Sequence, residues 1–124
     1  MLADSNIIIY AAKPEYPTIR QFIAEHAPAV SAISYVEVLG YHKLDDQERA
    51  VLEAFFVTAP LIALSQAVLD HAVKLRQVRK MTLGDALVSS TALVHDLTLV
   101  TRNIDDFKWI AGLKLLNPFE PASP

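Results

Sequence analysis

Four acids stand where short apolar runs give way to sequence that favours helix. Asp4 follows the apolar start Met1 to Ala3, Glu37 lies three residues after Ser34, Asp85 three after Thr82, and Asp106 three after Asn103. Taken singly, each reads as a helix cap. The spacing is that of a capping box or a close relative, and an acid in the first turn complements the helix dipole. Taken together they carry a different implication. If the runs before Asp4, Ser34 and Asn103 are parallel strands, all end at one sheet edge, where ligands bind in open α/β sheets. Asp4, Glu37 and Asp106 would then approach one crevice. Asp85 has no strand directly before it, but its helix must pack on the same sheet.

Carboxylates held close together repel, and either protonation or a cation relieves the repulsion. The chain has no cysteine, so an all-oxygen site favours a hard ion, Mg²⁺ or Mn²⁺. Such an ion lowers the pKa of a water and stabilises charge on a departing oxygen, which suits phosphodiester hydrolysis. The pattern leaves open whether one ion or two would bind. His26, His42, His71 and His95 have no close ligand spacing and give little support for zinc.

Alternating short apolar runs and helical periodicities position these acids. Strands are expected at Met1–Ala3, Ala29–Ile33, Leu61–Leu64, Leu97–Val100 and Leu113–Leu116. Helices are expected from Asp4 to about Ala12, over Tyr16–His26, from Ser34 to Tyr41, and through Val51, Leu52, Phe55 and Phe56. Ser65 and Thr82 should cap two more, and Asn103–Trp109 a short last one. Short buried strands between helices argue for an α/β fold: a parallel sheet of about four to five strands, flanked by helices on both faces. One domain over residues 1–118 is expected, with 119–124 as a flexible, proline-rich tail. Phe55 and Phe56 read as core, or as support for a groove that holds a partner segment.

The composition narrows the function. A formal net charge of -3 excludes nucleic-acid binding by bulk electrostatics, so any such contact must be local. Four cations fall within Lys74–Lys80, and Arg76, Arg79 and Lys80 are expected near one helical face. They read equally as a solvated helix end or as a phosphate-tracking patch; Arg102 is a second candidate contact. Mean hydropathy of +0.29 is high for a soluble monomer, which is consistent with an apolar surface for self-association or partner binding. The N-terminus does not read as a signal peptide and no apolar run spans a bilayer, so a cytoplasmic location is expected.

The segments LADSNIIIYA, SAISYVEVLGY, TLGDALVSSTAL and LTLVTRNIDDF, in that order, resemble the PIN domain. Within it the chain is similar to the small VapC-type toxins of toxin–antitoxin pairs. The resemblance covers Met1 to about Pro118. It implies an endoribonuclease dependent on Mg²⁺ or Mn²⁺, a homodimer or higher oligomer, and a cognate antitoxin that blocks the site. By position, Asp4, Glu37 and Asp85 match the family's first three acids. Ser5 stands where the family has Thr or Ser and would orient Asp4 or a water on the metal. Asn6 matches a common supporting Asn, and Thr101 and Asn103 match the T-R-N/D stretch. Where many members carry Asp, this chain has Asn103. Asp106 is therefore assigned as the fourth catalytic and metal-binding carboxylate, with Asn103 a neutral helper and Asp105 the weaker candidate.

A catalytically silent PIN-like module that holds RNA or protein is the alternative. A haloacid-dehalogenase-type phosphatase is disfavoured, because Asn6 occupies the place of its second acid. A receiver-type switch is disfavoured for lack of an acid pair after the first strand.

Overall fold

The strands are very short: β1 Leu2–Ala3, β2 Ala29–Ser31, β3 Leu61–Ile62, β4 Leu99–Val100 and β5 Leu115–Leu116. In the computed structural model, which describes residues 1–120, they form one sheet in the order β3-β2-β1-β4-β5. Every pairing is parallel. The chain thus begins in the centre of the sheet, builds outward to β3, then returns to the other side of β1. The crevice between β1 and β4 is the switch point at which α/β sheets bind ligands.

Period-two alternation puts the two faces to use. Leu2 and its partner Leu99 face one helical layer, with Val88, Ala92, Phe107 and Ile110. Ala3, Val30 and Val100 face the other, with Ile7, Ile8, Ile19, Ile23, Val38 and Leu52. Helices α1 Ser5–Ala11, α2 Pro17–His26, α3 Ala32–Leu39 and α4 Asp46–Thr58 contribute to this second layer. Helices α6 Leu83–Val94 and α7 Ile104–Phe107 contribute to the first, and α5 Gln66–Val78 packs on α6. The parallel sheet with helices on both faces is as expected.

The caps differ from expectation. Strand β2 ends at Ser31, whose hydroxyl accepts from the Ile33 amide, so α3 begins at Ala32 and Ser34 is not a cap. Ser34 is fully buried inside the helix, and Glu37 stands in the second turn, where it caps nothing. Asn103 makes no side-chain capping bond. Among the described residues, the reciprocal capping box is Asp45 with Glu48, at the start of α4, a pair the sequence reading passed over.

Helix α5 stops at Val78. Arg79 is extended (φ -153°, ψ 147°) and Lys80 lies beyond the helix, so the expected common helical face for Arg76, Arg79 and Lys80 does not form. The terminal segment from Pro121 lies outside the described residues. Just before it, Phe119 packs edge-on against Tyr10 and Tyr16, ring centres 5.3 and 5.6 Å away.

Candidate metal centre

Asp4 leaves the tip of β1 and caps α1, accepting from the Asn6 amide at 3.2 Å. Its other oxygen accepts from the Thr101 hydroxyl at 2.8 Å, and the Asn103 amide donates to that hydroxyl at 3.1 Å. The carboxylate is therefore held across the β1–β4 switch point by the residue just past β4. Burial pushes the Asp4 carboxyl upward and Glu37 adds to the rise, while the Thr101 and Asn6 hydrogen bonds oppose it.

A hydroxyl relay fixes Glu37. Ser5 Oγ lies 2.7 Å from Glu37 Oε1 and 2.9 Å from Ser34 Oγ. Each hydroxyl has one proton, so Ser5 donates to Glu37 and can accept from Ser34. Ser5 thus serves Glu37; the sequence reading expected it to orient Asp4 or a water on the metal. The other Glu37 oxygen lies against Gly84 in the first turn of α6, where a Cβ would overlap the carboxylate. The sequence reading missed Gly84; the available signal was a glycine placed directly before Asp85.

Asp85 occupies the third position of α6, whose cap Thr82 accepts from the Asp85 amide at 3.1 Å. Its carboxyl is pushed up to about 6, first by burial, then by the charges of Asp4, Asp106 and Glu37, against a lowering hydrogen bond from Thr82. Acids from three other segments thus act on Asp85 through space. They line two adjoining cavities that share Asp85. One, of about 330 Å³, includes Asp4, Ser5, Asn6, Lys13 and Glu37. The other, of about 490 Å³, includes Arg79, Lys80, Asp105, Asp106 and Trp109. Asp105 instead pairs with Lys108 at 2.9 Å. Arg102 is exposed, its guanidinium 4.2 Å from the Phe119 ring centre, and Arg76 lines a separate surface cavity beside Arg79 and Lys80. Among the described residues, no three His, Asp or Glu side chains gather tightly enough to grip an ion as they stand.

The PIN domain family model matches residues 1–113. The chain belongs to the PIN domain family. This PIN domain is 27% identical to Ribonuclease VapC2 of Rickettsia felis, over 94% of this chain and 96% of that one. It is similar to a chain of a toxin–antitoxin complex from Klebsiella pneumoniae, with 33% identity, 97% and 98% coverage and a TM-score of 0.76. VapBC2 from Rickettsia felis, bound to a DNA fragment from its promoter, matches at 26% identity over 94% of this chain and 96% of that one, with a TM-score of 0.75. The PIN domain's architecture and its similarity to VapC relatives agree with the expectation from sequence.

Proposed function

We propose that this PIN domain is an endoribonuclease dependent on Mg²⁺ or Mn²⁺, and the toxin of a toxin–antitoxin pair. The observation that carries the reading is that Asp4, Glu37, Asp85 and Asp106 line two adjoining cavities that share Asp85. Carboxylates crowded together repel one another, a repulsion that a cation relieves, and their oxygens fit a hard one. Asp4, Glu37, Asp85 and Asp106 would hold it. When bound, it would supply an acidified water and neutralise charge on the departing oxygen.

The chain's own residues prepare the site. Thr101 and the Asn6 amide oppose the rise that burial imposes on Asp4. The Ser34–Ser5 relay aims Glu37, and Gly84 leaves room for it. Thr82 opposes the upward push on Asp85. Asn103 steadies Thr101 through its amide.

The partner assignments follow the relatives. The toxin–antitoxin neighbours support a cognate antitoxin. An apolar groove of about 350 Å³, lined by Ile8, Ala12, Ile23, Leu52 and Phe55 among others, suits the apolar face of a partner helix. Exposed Tyr35, Val36, Leu69 and Val73 support self-association into a homodimer. Among the described residues no helix is long and apolar enough to cross a membrane, and action in the cytoplasm fits this reading.

The test is incubation of the purified protein, freed of any co-purifying partner, with a total RNA pool in Mn²⁺, beside Asp4→Asn and a chelator control. Discrete fragments that vanish in both controls are expected. The open spacing of the acids favours one competing reading, a silent RNA-binding module. Tight RNA binding without cleavage in Mn²⁺ would establish that module and remove the enzyme.

A further inference from the structure

The larger cavity beside Asp85 joins acids to unspent cations. Its walls include the acids Asp85 and Asp106 together with Arg79, Lys80 and Trp109. The chain leaves α5 at Val78 in extended conformation, which carries Arg79 toward α7. The Arg79 guanidinium carbon lies 5.3 Å from the centre of the Trp109 ring. That ring is pinned in turn, because Trp109 Nε1 donates to the Asp106 carbonyl at 2.9 Å. The aromatic platform is thus anchored to the residue after Asp105 that faces the acid cluster.

Charge bookkeeping gives this corner a purpose. The ion pairs among the described residues are Lys13–Glu48, Lys108–Asp105 and Lys114–Asp96. Arg79 and Lys80 are in none of them, although Asp85, Asp105 and Asp106 line the same cavity. Lys13, the cation of the smaller cavity, is already engaged by Glu48 at 3.1 Å. The available positive charge beside the acids is therefore on the Trp109 side.

We infer that Arg79 and Trp109 form a subsite for one unpaired nucleotide of the RNA next to the scissile bond. The base stacks on the guanidinium plane that lies over Trp109, and Lys80 meets the adjoining phosphate. The inference rests on the RNA-cleavage reading of the acid cluster and adds the direction in which the strand leaves it. A cavity of about 490 Å³ has the size of a small-molecule site and admits one nucleotide. Stacking on an aromatic or guanidinium plane requires a splayed base, which selects single-stranded RNA over duplex. It also explains how a chain of net charge -3 takes hold of a polyanion, by a local contact and not by its overall field.

Trp109 is the single tryptophan in the chain, so its emission reports this corner alone. A short single-stranded RNA is titrated into Asp4→Asn protein in Mg²⁺ buffer, so that the ligand survives, while RNA cleavage is followed separately with the unsubstituted protein. Saturable quenching of Trp109 is expected. Arg79→Ala on the same background should weaken binding roughly five- to 150-fold, the range for one stacked base, and flatten the slope of log affinity against log salt by about 0.7. Arg79→Lys should keep the salt slope but lose most of the quenching, since it keeps the charge and loses the plane. Trp109 emission unmoved at saturating RNA, or Arg79→Ala binding as tightly as its parent, overturns the subsite even if RNA is cleaved. Quenching that depends on Arg79, with no cleavage by the unsubstituted protein, retains the subsite and removes the nuclease reading instead.

Discussion

Replacing Asp85 by Asn should remove cleavage and, in metal-free protein, make the fold more stable. The Asp85 carboxyl is raised from its usual 3.8 to about 6, because burial and three neighbouring acids disfavour its charge. At about 1.4 kcal/mol per pH unit, that gap corresponds to roughly 3 kcal/mol. The group is only half-buried, so solvent screening reduces the figure to about 1.5 kcal/mol. The substitution also gives up an acid in the first turn of α6, about 0.3–0.5 kcal/mol. A net gain of about 1 kcal/mol remains, or roughly 3–5 °C in Tm for a domain of this size.

The sign of the pH dependence follows from linkage. With the folded value above the unfolded one, protonation favours the fold. That stability is fully present below about 3.8 and is lost as pH rises through about 6. Asparagine imitates the protonated form, so the variant should melt above the parent at pH 8 and with it at acid pH. Thermal denaturation in chelator, at points across that range, measures the difference. Adding Mn²⁺ at pH 8 should raise the parent's Tm more than the variant's. Equal melting at pH 8, or a gain that does not change with pH, would refute the claim that crowded charge at Asp85 strains the metal-free protein.

Gly84→Ala should reduce cleavage at least tenfold, because its Cβ enters the space of the Glu37 carboxylate; adding Glu37→Ala should uncover the stabilisation of up to about 1 kcal/mol that alanine normally brings to a helix, read by denaturant melts of the single and double variants. Thr101→Val removes the hydroxyl that lowers Asp4, so the acid limb of the pH–rate profile should move to higher pH, with a stability loss of about 1.5–3 kcal/mol. Asp106→Asn should cut cleavage and weaken Mn²⁺ binding by calorimetry, while Asp105→Asn, which loses only its exposed pairing with Lys108, should leave both within about twofold.

The sheet and the helical layers were legible because apolar runs and helical periodicity reflect burial directly. Asp4 and Thr101 stood out for a related reason: both sit at strand ends, and strand ends mark the ligand edge. The Ser34-x-x-Glu37 spacing looked like a cap, whereas Ser34 is an interior link to Ser5, and a hydrogen bond between residues 29 positions apart leaves no local trace. The true capping box, Asp45 with Glu48, was hidden in a charged stretch, His42 to Arg49, that read as a turn followed by a helix start with no cap assigned. The end of α5 was misplaced because Arg79 and Lys80 continue a helix-favouring composition, and nothing in their types announces the extended backbone at Arg79. Gly84 was missed because its significance lies in what a side chain would strike, a fact of tertiary packing.

The bond between Thr101 and Asp4 joins positions 97 residues apart. During synthesis, β1 must wait for β4 before it has both neighbours in the sheet. Closing so long a loop is entropically slow to be rewarded. A ribosome that stops between Asp85 and β4 releases a chain that carries Asp4, Glu37 and Asp85, yet lacks the strand and the hydroxyl that hold Asp4 in place. Under the nuclease reading, chains that end before Thr101 therefore lack a fixed Asp4. The activity then arrives only once β4 has been made, which gives a cell the time taken to translate the preceding elements in which to have an inhibitor ready.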